Sequence, residues 1–217
     1  MNDMSQLQIF AALLSAALMG LVLKNMAFSQ LRDDKKVQHL VFGCTVSLSL
    51  LWMVQTGIAG NPKVHFLWLA ALPLVLGFRW AMFSATLALL VLTAFGLEPV
   101  NLLGVNFLLG VLAPIALTYG IYSLTFHKLP HNIFVYIFLC AFIPGALSIC
   151  LKMLLLSVYY YVDTIYPWQA IFDNYLVLTT LLAFPEAMFN GMTITLLIIY
   201  KPQWVYTFYD KFYLGKP

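Results

Sequence analysis

The chain has 217 residues, 63% of them hydrophobic and only 9% charged, with a formal net charge of +3. A water-soluble domain carries about a quarter charged residues, so this composition, with a mean hydropathy of +0.91, excludes a soluble globular protein. It predicts an all-α, polytopic integral membrane protein forming one domain over 1–217, with no room for a soluble ATPase domain. The small positive excess suits membrane-surface anchors and needs no nucleic-acid partner.

In chain order, the first ten residues, MNDMSQLQIF, hold Asp3 and no basic residue, so the basic start of a cleavable signal is missing. Residues 1–6 read as a short outer segment before a first span at 7–28. Ala12, Ala16 and Gly20 recur there at every fourth position, a flat stripe that lets two helix backbones approach, within the chain or against another subunit. The second span is expected at 38–58, and after the loop AGNPKV, His65 opens a third at 65–78. A fourth at 80–97 follows with only Gly77-Phe78-Arg79-Trp80 between them. Spans three and four are short for a ~30 Å core, and read either as a tight hairpin of short helices or as one bent element.

Further spans are expected at 101–125, 133–157 and 174–200, giving a bundle of about seven transmembrane helices. Pro73, Pro114, Pro144 and Pro185 each interrupt a different span, a pattern tolerated where protein or a cavity satisfies the freed carbonyls. The outer loop from Tyr159 to Asn174 is rich in aromatic residues and reads either as the cover of an outward cavity or, more simply, as an aromatic belt at the membrane interface. In the tail, 201–217, Trp204, Phe208 and Phe212 share one helical face beside Lys201, Lys211 and Lys216, the pattern of an interfacial cytoplasmic segment.

Charge fixes the expected orientation. Arg32, Lys35, Lys36, Arg79, Lys128, Lys201, Lys211 and Lys216 all fall in alternate gaps, whereas the other gaps hold Lys63 with Asp3, Glu98, Asp163 and Asp173. Cytoplasmic loops retain basic residues, which puts the amino terminus outside and the carboxyl terminus in the cytoplasm of a multi-pass inner or plasma membrane protein.

Several polar groups stand inside these spans. Glu186 lies near the middle of the seventh, directly after Pro185. A carboxyl group in hydrocarbon costs at least ~2.5 kcal/mol, so it must face the bundle interior, either as a ligand or proton-handling group or as a bond between helices. Lys152, in the outward half of the sixth span, can snorkel to the outer interface, the favoured reading; otherwise it pairs with Glu186 or attracts an anion. His65 is a lone imidazole at an interface, more often an anchor than a ligand. Asn101, Asn106 and Asn190 can line a cavity or bond helices together. His127 and His131 flank Lys128 and Pro130 as loop residues. Cys44, Cys140 and Cys150 have no paired spacing and read as apolar fillers. No GxSxG, HExxH, P-loop or GxGxxG stretch stands in a suitable setting, so no enzymatic role is expected and no built-in cofactor.

The block WMVQTGIAGNPKVHFLWLAALPLVLGFRWAMFSATLALLVLTAFGLEPVNLLGVNFLLGVLAPIALTYG resembles the cobalt/nickel substrate-capture membrane subunits of energy-coupling-factor (ECF) ABC importers. The carriers of the likeness are His65 opening a short helix, Gly104-Val105-Asn106, the downstream Pro114 and the closing FPEAMFNGMTITLLIIYKPQW. Family members begin Met-His, whose amine, backbone and imidazole supply most metal ligands; this chain begins Met1-Asn2-Asp3-Met4. The family's usual Glu-Gly in the last span stands here as Asn190-Gly191, with Glu186 one turn earlier. The resemblance implies a substrate-capture subunit for a transition-metal cation, cobalt or nickel, with a metal set drawn from His65, Met1, Asp3 and Asn106. It also implies a transmembrane coupling subunit and cytoplasmic ATPases as partners within the lipid bilayer. The alternative is a non-transporting assembly or interaction protein that keeps the fold without metal ligation; a membrane enzyme built on Glu186 and Lys152 comes third.

Overall fold

The structure, a computed structural model, describes residues 4–57, 62–130, 132–209 and 213. Met1, Asp3, His131, Lys211, Phe212 and Lys216 lie outside the described residues. Helices are α1 (Gln6–Lys24), α2 (Phe28–Asp33), α3 (Lys35–Met53), α4 (Ala71–Leu76), α5 (Phe78–Ala94), α6 (Val100–Lys128), α7 (Ile133–Val162) and α8 (Trp168–Tyr200). Four of them, α1, α6, α7 and α8, are long and apolar enough to cross a membrane. The predicted first span runs on too far, since the chain breaks after Lys24 and α2 follows as a separate short helix. The expected loop from Tyr159 to Asn174 shrinks in the same way, because its ends continue α7 and begin α8.

The expected third span is the main correction. Residues 65–70 are not helical, and only Ala71–Leu76 winds into α4. The segment nevertheless runs through the bundle from end to end. Near its start, His65 meets Lys152 of α7; near its finish, the Leu74 and Val75 carbonyls accept the backbone N–H groups of Thr207 and Tyr206. At about 3.3 Å per residue where extended, over 65–67, and about 1.5 Å through the turn and helix that follow, residues 65–77 reach roughly 25 Å, most of the depth of a ~30 Å core. Irregular backbone survives at such depth only inside protein, where its polar groups find partners. Leu67, Leu69, Ala70, Leu72 and Leu74 are accordingly buried.

Those partners come from α8. Glu186 accepts the N–H of Leu67 through Oε2 (2.9 Å) and that of Trp68 through Oε1 (2.7 Å). One turn on, Asn190 Oδ1 accepts the Ala71 N–H (2.8 Å), while its Nδ2 donates to the Glu186 Oε1 (2.7 Å). Trp68 adopts a left-handed φ of 54°, a strained conformation for a bulky residue, and its indole N–H donates to Thr193 Oγ1. Gly77 then turns the chain into α5 with φ 76° and ψ 165°, a region essentially reserved for glycine. A Cβ there would also lie 3.1 Å from the Tyr206 ring.

Around this inner segment the helices pack closely. Gly104 of α6 lets α1 approach so near that a Cβ would sit 2.5 Å from the Ala12 nitrogen. Only Ala12 of the predicted small-residue stripe serves this contact, since Ala16 and Gly20 are exposed. Hydroxyl pairs join α3 to α5 (Thr45–Ser84, 2.9 Å) and α6 to α7 (Thr118–Ser148, 3.2 Å). In α6 and α7 a wide π-helical stretch, Asn106–Leu112 and Tyr136–Phe142, ends two residues before Pro114 and Pro144. The missing proline N–H and the bulk of its ring break the regular ladder, and the wider turn absorbs both.

The tail does not lie flat as a helix. After a 3₁₀ turn at Pro202–Trp204, Val205, Thr207 and Phe208 are buried. The Thr207 hydroxyl donates to the Leu74 carbonyl and sits 2.6 Å from the Tyr136 hydroxyl. The carboxyl end of α4 leaves carbonyls without helical donors, and the tail supplies them.

Two ends of the bundle follow. One gathers Arg79, whose guanidinium donates to the Asn25 carbonyl, and Lys36, whose ammonium donates to that of Gln203. The other gathers Lys63, His65, Glu98 and Asp163, with the start of α1. There Ser5 caps α1, and its hydroxyl, the Gln8 amide and the Tyr159 hydroxyl all donate to Asp163 Oδ2. Among the described residues, Lys36 and Arg79 thus gather at one end and Lys63, Glu98 and Asp163 at the other.

Candidate functional site: a polar cavity beside the start of the chain

At the end of the bundle that holds the start of α1, a cavity of about 280 Å³ opens between α3, the inner segment, α5, α6, α7 and α8. Its polar lining is His65, Glu98, Asn106, Lys152 and the tyrosines Tyr160, Tyr166 and Tyr175, with Lys63 exposed at its rim. Trp52, Leu92, Val111 and Leu156 form the apolar wall. Gly110, inside the wide turn of α6, stands where a Cβ would meet the Lys152 stem at 3.5 Å.

His65 is held from several sides. A backbone bridge pairs Thr56 with Val64 in both directions (2.9 and 2.8 Å), fixing the residue before it. The Trp52 indole N–H donates to the Leu67 carbonyl (3.0 Å), and its ring lies 5.4 Å from the imidazole. The His65 Nδ1–H donates to the Phe66 carbonyl (2.9 Å), which leaves Nε2 as the acceptor. Lys152 Nζ donates to that Nε2 at 2.9 Å. Opposite them, both Glu98 oxygens accept neutral amide donors, from Gln55 Nε2 (3.1 Å) and Asn106 Nδ2 (2.9 Å). Burial, and then the nearby Glu98 carboxylate, push the Tyr166 phenol in the loop above its ordinary value.

Of the residues expected to form a site, His65 and Asn106 line one cavity, and Lys152 joins them. Snorkelling is thereby overturned: the Lys152 ammonium turns inward onto His65, where a polar hollow offers it an acceptor. Glu186 and Asn190 sit outside the cavity lining, fully committed to the inner segment. Of the two roles open to Glu186, the structure shows the bond between elements. Asn101 donates weakly to Gln8 (3.5 Å), and His127, exposed at the end of α6, bonds the Ser123 carbonyl. Met1 and Asp3 lie outside the described residues, although α1 begins beside Asn101 at this end. Among the described residues no group of three or more His, Cys, Asp and Glu side chains converges.

Tyr160 and Tyr166 come from the aromatic loop read as the cover of an outward cavity, whereas Glu98, Gln55 and Tyr175 are site residues that the sequence does not single out. Glu98 has a signal in hindsight: an acid placed just before Pro99 and the helix carrying Asn106, at the end of a span rather than in a long loop.

Comparison with known proteins bears on this geometry. A family model described as "Cobalt uptake substrate-specific transmembrane region" matches residues 5–204. Two solved structures share the fold at 20% identity. The crystal structure of a truncated transition metal transporter gives a TM-score of 0.73 and covers 88% of this chain and 94% of its own. The crystal structure of a transition metal transporter gives 0.71, covering 88% of each chain. No curated protein matches significantly.

Proposed function

The chain belongs to the CbiM family of cobalt uptake substrate-specific transmembrane regions, and from that premise we propose that it captures solute for a transition-metal importer. In this reading it is the membrane-embedded, substrate-binding subunit of an ECF-type ABC importer. The supporting observation is the hollow that gathers His65, Glu98, Asn106 and Lys152 at the end of the bundle where α1 begins. By the distribution of Lys and Arg this end faces away from the cytoplasm, so solute enters from outside. The chain carries no P-loop, so energy comes from cytoplasmic ATPases through a transmembrane coupling subunit that engages the basic end. The cargo is a transition metal, cobalt or nickel by kinship with the family.

A second reading has one specific observation in its favour. The sole free lone pair of His65 accepts from Lys152, as it would in a protein that keeps the fold for assembly with a partner and has given up ligation. Elemental analysis of tag-free protein purified from its native membrane separates the two. Capture predicts cobalt or nickel near one atom per chain, lost in His65→Ala. Metal-free protein that copurifies with a membrane partner, and without ATPases, refutes capture and supports assembly.

A further inference from the structure

The chemistry of the cavity disagrees with a bare divalent cation as its occupant. Among the described residues its rim and walls carry two cationic side chains, Lys63 and Lys152, and the carboxylate Glu98, with the Glu186 carboxylate acting on Lys152 from outside the lining. The Lys152 ammonium has three donors, of which one is spent on His65 Nε2. Among the described residues no carboxylate lies within ion-pair distance of it, the only such pair being Arg32 with Asp33. The Glu98 and Glu186 carboxylates act on this half-buried ammonium only from beyond contact, so its two remaining N–H donors have no anionic acceptor of their own, and a carboxylate oxygen is the complement that fits them. The imidazole that would bind a metal has both nitrogens engaged, Nδ1 with Phe66 and Nε2 with Lys152. Any cation approaching Nε2 meets the ammonium first.

Size points the same way. A water takes about 30 Å³ of liquid volume, so a hollow of about 280 Å³ holds far more than one ion. It has room for a small organic molecule, and the phenols of Tyr160, Tyr166 and Tyr175 can donate to its oxygens.

We propose that the solute seated here carries a carboxylate paired with Lys152, so that a transition metal enters as a complex with a small carboxylate chelator and not as the hydrated ion. This rests on the capture reading only in that a solute occupies the cavity. Lys152 takes one carboxylate, as an ammonium takes a point charge. Glu98, already held by two amides, stands across the cavity from it as the negative counterpart for the metal-bearing side.

The test is calorimetric titration of the tag-free full chain in detergent, in a non-coordinating buffer, with nickel chloride, nickel–citrate, nickel–malate, citrate alone and malate alone. We expect saturable binding of a nickel–carboxylate complex, at least about tenfold weaker in Lys152→Met and retained in Lys152→Arg. Thermal melting of each variant controls for folding, and Lys152→Arg decides should Lys152→Met fail to fold. Nickel chloride binding as tightly as either complex, undiminished or strengthened by Lys152→Met, overturns the proposal and leaves metal capture standing. Citrate or malate binding equally with and without nickel overturns the proposal, since the metal then has no part in recognition. No binding in any carboxylate arm overturns the proposal.

Discussion

Replacing Glu186 by alanine tests whether an intramembrane acid can be wholly structural. The residue is 1% exposed and accepts from Leu67 N–H at 2.9 Å, Trp68 N–H at 2.7 Å and Asn190 Nδ2 at 2.7 Å. Asn190 retains a second acceptor in the Glu186 carbonyl (2.8 Å), so alanine orphans two backbone donors. Each orphaned buried donor costs about 1–3 kcal/mol, or about 2–6 kcal/mol together. Hydrogen bonds measured inside membranes fall near the low end, which narrows the expectation to about 2–4 kcal/mol for Glu186→Ala. Glutamine keeps one acceptor but turns an amide N–H₂ toward a donor, for about 1–3 kcal/mol. Reversible unfolding in mixed micelles measures both variants. Hydrogen exchange should show the Leu67 and Trp68 amides losing protection before the helices do, since these amides lose their acceptors directly. A Glu186→Ala protein of unchanged stability that nevertheless fails to bind solute would refute the reasoning and return Glu186 to the site.

Two glycines carry further predictions. Gly104→Ala places a methyl 2.5 Å from the Ala12 nitrogen, where backbone and not a flexible tip must move, so α1 must shift from α6. We expect a loss of about 1–3 kcal/mol and a rise in thiol labelling of a cysteine introduced at Ser15, which is half-buried; unaltered labelling contradicts the packing. Gly77→Ala sets a side chain at φ 76°, ψ 165° against the Tyr206 ring, at about 1–3 kcal/mol, and should free the tail for proteolysis after Lys201; wild-type cleavage rates contradict it.

Much of the bundle is legible in the sequence because hydropathy reports burial in lipid. Helices α1, α6, α7 and α8 stand close to their expected spans. Hydropathy is silent on conformation, however. Residues 65–78 are as apolar as a helix, yet their backbone donors are met by Glu186 and Asn190, more than a hundred positions away. No local window contains that information. The tail misleads for the same reason, since its aromatic pattern fits an interface while the carbonyls of Leu74 and Val75 draw it inward. Lys152 misleads because a long stem near a span's outer half usually reaches water, and only the tertiary fold shows a polar hollow within its reach.

The broken crossing also connects the two puzzling acids. A continuous helix at 65–78 would satisfy its own backbone and need no carboxyl group from α8. An irregular segment offers free N–H groups at mid-depth, and Glu186 with Asn190 is the pair that receives them. The irregularity in turn lets the chain arrive at His65 in a non-helical conformation, bridged through Val64 to Thr56 above and tied through Leu67 and Trp68 to α8 below. Loss of Glu186 should therefore disturb the imidazole without touching it, whereas loss of Glu98 removes the cavity's own negative wall and the partner of Gln55 and Asn106. One acid positions the site and the other faces it, and a comparison of solute affinity with stability in the two alanine variants distinguishes the roles. Glu186→Ala should lower both together; Glu98→Ala should lower affinity more than stability.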